Sequence, residues 1–149
     1  MPRPRQRFLI LTLLILLAGS LASCGAPPTP SHTFALSTLD AARMPPEVQA
    51  APVTVQSAYG FAAANPELLK QIPCYCGCQA LGHTSNYACY VSGLDSAGQI
   101  IYDLHATACS VCVDITRDTQ RLAEQGQSVE QMRVYLATQY AKYGPATTP

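Results

Sequence analysis

Three cysteines alternate with other residues in Pro73-Cys74-Tyr75-Cys76-Gly77-Cys78, and a pair, Cys109-Ser110-Val111-Cys112, follows about thirty positions later. In an extended segment, residues two apart point to the same side, so Cys74, Cys76 and Cys78 can present three sulfurs together. Gly77 lets the backbone curl around whatever they hold, and Pro73 stiffens the entry. In the first turn of a helix, Cys109 and Cys112 share a face, where the positive end of the helix dipole favours thiolate. Convergent thiolates select soft ions. They suit disulfides less well, because each cysteine would need its own partner at a restricted separation. A Cys-x-x-Cys alone is a weak signal, but its combination with the alternating triplet is far more specific. Cys89 lies between the two groups. His83 and His105 lie among them, and either can complete a coordination sphere or hydrogen-bond to a sulfur.

The elements that must position these residues are mostly helical. Asn65-Pro66-Glu67 predicts a helix start, with Asn as N-cap and Pro at the first helical position. Leu68, Leu69 and Ile72 give it a short apolar face, and Pro73 ends it. Two short strands are expected at Cys89 to Val91 and Gln99 to Tyr102, joined by the turn Asp95-Ser96-Ala97-Gly98. A longer helix is expected from between Ala106 and Cys109 to about Gln125, stopped by Gly126, with Val111, Ile115 and Leu122 on one face. Ser128 with Gln131 forms a capping box, opening a last helix with Met132, Tyr135, Leu136 and Tyr143 at core-facing spacing. Gly144-Pro145 closes it, and the remaining residues read as a frayed tail. The expected fold is therefore mainly α: a small single domain with a C-terminal helical hairpin, a cysteine-rich loop and one short β-hairpin. Asp103, Asp114 and Asp118 read as solvated or capping charges, and Tyr75, Tyr87 and Tyr90 as packing that screens the cysteine loop. No Ser/His/Asp grouping or G-x-S-x-G elbow is visible, so an enzyme is not expected.

The N-terminus reads as an export signal. Arg3, Arg5 and Arg7 precede an apolar run from Phe8 to Ala22 that is short for a membrane span. It ends in Leu21-Ala22-Ser23-Cys24, which resembles the lipobox of bacterial lipoproteins. That resemblance implies cleavage before Cys24 and acylation of its sulfur, anchoring the chain to a lipid bilayer on the extracytoplasmic side. Residues 1–23 are then a signal peptide. Residues 24–52 are a disordered tether, rich in proline and carrying His32 as a solvated residue, and 53–149 are the folded domain. Of nine basic residues three lie in the signal, leaving six against nine acidic ones, a net of −3. No basic patch appears, which argues against a nucleic-acid partner. With Cys24 taken by lipid, six cysteines remain in a compartment where thiols are not kept reduced.

The hexapeptide, Gly82-His83, the lone Cys89, His105-Ala106 and the following Cys-x-x-Cys together resemble a family of bacterial lipoproteins named for its PCYCGC motif. The resemblance runs from roughly Pro66 to Tyr143, without the tether or the extreme C-terminus, and implies a shared cysteine site with a lipobox as companion. Six thiolates exceed the four ligands of one structural zinc, whereas they can bridge several Cu(I) ions. Iron–sulfur clusters are assembled in the cytoplasm and suit an exported chain least. Cu(I) is therefore the favoured ion and zinc the alternative, for sequestration, storage or delivery. Two other readings stay open: a domain stapled by three disulfides with no metal, and a thiol–disulfide oxidoreductase using Cys109 and Cys112.

Overall fold

The computed structural model describes residues 37–148. The expected signal peptide, Cys24 and the first part of the tether lie outside them. No described helix is long and apolar enough to cross a membrane.

The remainder of the expected tether is built into the domain. Asp40 caps a 3-10 turn, Ala41–Arg43, by accepting from the Ala42 N–H at 3.0 Å. Helix α1, Pro46–Gln49, follows. Met44 and Val48 from this stretch are buried. The Leu39 N–H donates to the Gly60 carbonyl at 3.0 Å, an approach so close that a Cβ on Gly60 would meet Leu39 O at 2.5 Å. A proline-rich segment can thus be ordered when two large apolar side chains find a core, which offsets the ordering entropy.

Helix α2, Val53–Ala64, shows no helical period in its sequence, because it lacks a polar face over its last two turns. Ala58 through Ala63 are buried without a break. Helix α3, Pro66–Leu69, begins where the Asn-Pro-Glu signal places it, but Asn65 is not its side-chain cap. The Asn65 amide instead donates to the carbonyls of Ser37 (2.8 Å) and Phe61 (2.7 Å), tying the N-terminal segment to the end of α2.

The β-hairpin forms with a shifted first strand. Tyr87–Cys89 is a 3-10 turn, and β1 runs Val91–Leu94 antiparallel to β2, Ile100–Tyr102. The Asp95–Gly98 turn connects them, with Gly98 at φ 78°. Helix α4, Ser110–Glu124, ends in a Schellman motif at Gly126 (φ 73°): Gly126 N–H donates to Ala123 and Gln127 N–H to Leu122. The capping box then starts α5, Val129–Tyr140, with both reciprocal bonds made. Tyr140 pairs with Asp118 (2.8 Å) and Arg121 lies over Tyr135, pairings that run in opposite directions and define an antiparallel helical hairpin. Because α5 stops at Tyr140, Tyr140 takes the core position expected of Tyr143, which is exposed, while Tyr135 is half-buried. The architecture is mainly α with one short hairpin, as expected.

Candidate metal centre

The PCYCGC segment is part of this core: Pro73 to Tyr75 are buried and lie in neither a helix nor a strand. Gly77 then takes φ 80°, a left-handed conformation that L side chains resist, and turns the chain into the 3-10 turn Cys78–Leu81. The alternation expected of the triplet holds for Cys74 and Cys76, whose sulfurs are 3.5 Å apart. The turn at Gly77 swings Cys78 to within 4.8 Å of both. A second left-handed glycine, Gly82 at φ 88°, reverses the chain so that the His83 N–H donates to the Cys78 carbonyl at 3.3 Å. The Gly-His pair thereby returns an imidazole to the cysteine loop.

Three other elements close the site. The turn Tyr87–Cys89 brings the Cys89 sulfur to 3.5 Å from Cys78. Asp103, after β2, accepts from the His105 N–H at 2.8 Å and starts the 3-10 turn His105–Thr107, which holds the His105 Nε2 3.5 Å from Cys76. Helix α4 starts with Cys109 at its N-cap and delivers Cys112, whose sulfur lies 3.5 Å from both Cys74 and Cys76 and 3.4 Å from Cys109. Among the described residues, all six cysteines are free of disulfides. Cys112 touches three other sulfurs at distances far beyond a disulfide bond of about 2.05 Å. A tetrahedral ion with bonds of about 2.3 Å would space its sulfurs by about 3.8 Å, close to what is seen.

Among the described residues, four overlapping groups have donor atoms within 4.8 Å of one another: Cys76, His105, Cys109, Cys112; Cys78, His83, Cys89, His105; Cys74, Cys76, Cys78; and Cys74, Cys89, Cys112. Together they contain all six cysteines and both histidines singled out from the sequence. Cys74, Cys78, Cys89, Cys112 and His83 are buried, while Cys76, Cys109 and His105 are partly open. A cleft of about 300 Å³ lined by Val55, Ala106, Cys109 and Val113 lies against the open side.

Cys74 is shifted toward the thiolate form. Hydrogen bonds from Cys112 and Cys89 hold its thiol well below the ordinary range, against the opposing effect of burial. Cys112 moves the other way, first through its contact with Cys74, then through Cys89 and burial. Burial, followed by the Cys74 charge, pushes Cys76 and Cys78 up.

The site rests on polar contacts that the sequence did not advertise. The Asn86 side chain donates to the Cys112 carbonyl (3.2 Å), and its backbone N–H donates to Ile72 (2.7 Å). Thr116 Oγ1 lies 2.6 Å from Asn86 Oδ1 and 2.7 Å from the Tyr90 hydroxyl. These residues are fully buried and lock α4 to the cysteine loop. Tyr75 and Tyr90 are buried as screens, as expected. Asp103 caps the turn at His105, as expected of a capping charge, and does more: its Oδ2 lies 3.4 Å from His83 Nε2. The C-terminus is not frayed. Thr147 is buried against Cys74, and Gly144 passes the loop so closely that a Cβ there would be 3.0 Å from the Tyr75 carbonyl oxygen.

Residues 14–149 match a family model described as a protein of unknown function with PCYCGC motif. The match is longer than the motif-bearing span from Pro66 to Tyr143 and takes in the C-terminal residues that pack on the loop. No curated protein and no solved structure matches the chain.

Proposed function

The chain belongs to the PCYCGC-motif family, and we propose that it binds a thiophilic metal ion, Cu(I) in preference to zinc, on the outer face of a membrane, for sequestration, storage or delivery. The observation that carries this reading is the contact of the Cys76 and Cys112 sulfurs at 3.5 Å, from two stretches of backbone that folding must bring together. Five unbonded sulfurs packed with one thiolate have no evident structural purpose without an ion: they are poor hydrogen-bonding groups, and burying a thiolate is unfavourable unless it is paired. Thiolate and imidazole donors suit Cu(I) and zinc, and a sulfur majority favours the softer Cu(I).

Residence outside the cell rests on the Arg-rich, apolar leader ending at Cys24, through which an acyl chain would hold the domain on the bilayer. Partial exposure of Cys76 and Cys109 suits an ion that is passed on by ligand exchange.

The test is metal analysis of the chain isolated from copper-supplemented cells, beside Cys76→Ser and Cys112→Ser. Each substitution is expected to lower bound copper. Full occupancy in both would reject the site. Zinc in place of copper would overturn the preference for Cu(I). A metal-free chain lighter by two mass units per cysteine pair would replace the reading with a disulfide-stapled domain.

A further inference from the structure

Eight donor side chains converge here, six cysteines and two histidines, twice the number that one tetrahedral ion takes. They are not evenly mixed. Cys78, His83 and Cys89 occur together in one group of mutually close donors, and Cys76, Cys109 and Cys112 in another. Cys74 and His105 lie within reach of both triplets: His105 belongs to each four-residue group, and Cys74 to one group with Cys78 and one with Cys112.

The first triplet carries a sign of its own that it is a ligand set. His83 is 8% exposed, and its Nδ1 is buried with no hydrogen-bond partner. A buried imidazole nitrogen left unpaired gives up its bond to water and gains none in return. The other nitrogen, Nε2, faces the Asp103 carboxylate at 3.4 Å. A carboxylate on one ring nitrogen fixes the tautomer with the proton on that side and leaves a lone pair on the other, the arrangement that orients metal-binding histidines. The His105 ring stands edge-on to His83, with centroids 5.1 Å apart, so both imidazoles border the same space.

We propose that the pocket has two metal positions: an inner one held by Cys78, His83 and Cys89, and an outer one held by Cys76, Cys109 and Cys112, with Cys74 and His105 shared between them. This rests on the metal-binding reading above and adds the count and the division of donors. All three inner donors are buried, whereas Cys76 and Cys109 are partly open and Cys109 lines the cleft, so the outer position is the one that exchanges its ion.

Zn(II) is the probe, because its preference for four donors makes the number of bound ions follow the number of ligands. The reduced, metal-free full chain is loaded with excess Zn(II), desalted, and its zinc counted per chain. The intact chain is expected to retain two ions. The pair Cys76→Ser/Cys109→Ser removes outer donors, and the pair His83→Ala/Cys89→Ser removes inner ones; each variant is expected to retain one. One ion on the intact chain would overturn the two-position proposal and leave the metal reading standing. No ion would remove both. Two ions on either double variant, or none on both, would also overturn the division. Circular dichroism checks each fold, and if the buried inner pair fails to fold, the partly exposed outer pair carries the test.

Discussion

Thr147 and Cys74 exchange two hydrogen bonds across 73 positions of sequence: the Cys74 N–H donates to Thr147 Oγ1 at 2.8 Å, and the Thr147 N–H donates to the Cys74 carbonyl at 2.8 Å. The backbone of the central thiolate is therefore held by the end of the chain. Thr147→Val keeps the volume and the backbone bond but removes the acceptor of a buried N–H. A loss of about 1–3 kcal/mol is expected from urea unfolding of the metal-free, reduced chain. An unchanged midpoint and slope would mean that the clamp bears no weight.

That clamp also marks where sequence reasoning stops. The capping box at Ser128, the stop at Gly126 and the turn at Asp95–Gly98 were legible because each is a local hydrogen-bond pattern with its own residue types. The convergence of the cysteines was legible because their number and spacing leave few other uses. Helix α2 was not, since a segment buried on every side over its last turns shows no period. Thr147, Asn86, Thr116 and Asp103 were not, because ordinary polar residues gain a role only through partners far away in sequence. The boundary of the tether failed for the same reason: Met44 and Val48 belong to a core that the local proline content conceals.

Gly77 provides a test of backbone geometry free of packing. A Cβ there would meet nothing within 4 Å, so any effect of substitution comes from its φ of 80°. Gly77→Ala is expected to cost about 1–2 kcal/mol and to weaken metal binding by moving Cys78 away from Cys74 and Cys76. Gly77→Asn, which tolerates the left-handed region better, should recover much of both losses. Equal losses for Ala and Asn, read by thermal unfolding and by competition with a chelator, would show that conformation is not the cause.

Metal binding should weaken as pH falls. Burial raises the Cys76 thiol, with the Cys74 charge as the next cause, while Cys112 is raised through its contact with Cys74, then through Cys89 and burial. Both are protonated near neutrality and must lose their protons to bind an ion. Cys74, held well below the usual range, is already thiolate and releases none. These two protons alone, released on binding, make affinity drop by at least about a hundredfold for each unit of pH lost while both thiols remain protonated in the free chain. Chelator competition at pH 6 and 7 measures this slope. An affinity that is flat across that interval would contradict the assignment of Cys76 and Cys112 as ligands.

Asp103 is expected to act on the metal only through His83. Its Oδ2 faces His83 Nε2 at 3.4 Å, and its Oδ1 accepts from the His105 N–H. Asp103→Asn keeps an oxygen for the second contact but removes the negative charge that fixes the imidazole, so metal affinity should fall roughly 10- to 100-fold. The unfolding midpoint of the metal-free chain should move little, since a partly exposed contact of this kind contributes about 1 kcal/mol or less. The discriminating measurement is the double variant. In a His83→Ala background the imidazole is gone and Asp103→Asn should cost nothing further, giving a strongly non-additive cycle. If instead the two losses add, the carboxylate acts on the site by another route, such as its bond to the turn at His105, and its pairing with His83 is incidental to binding.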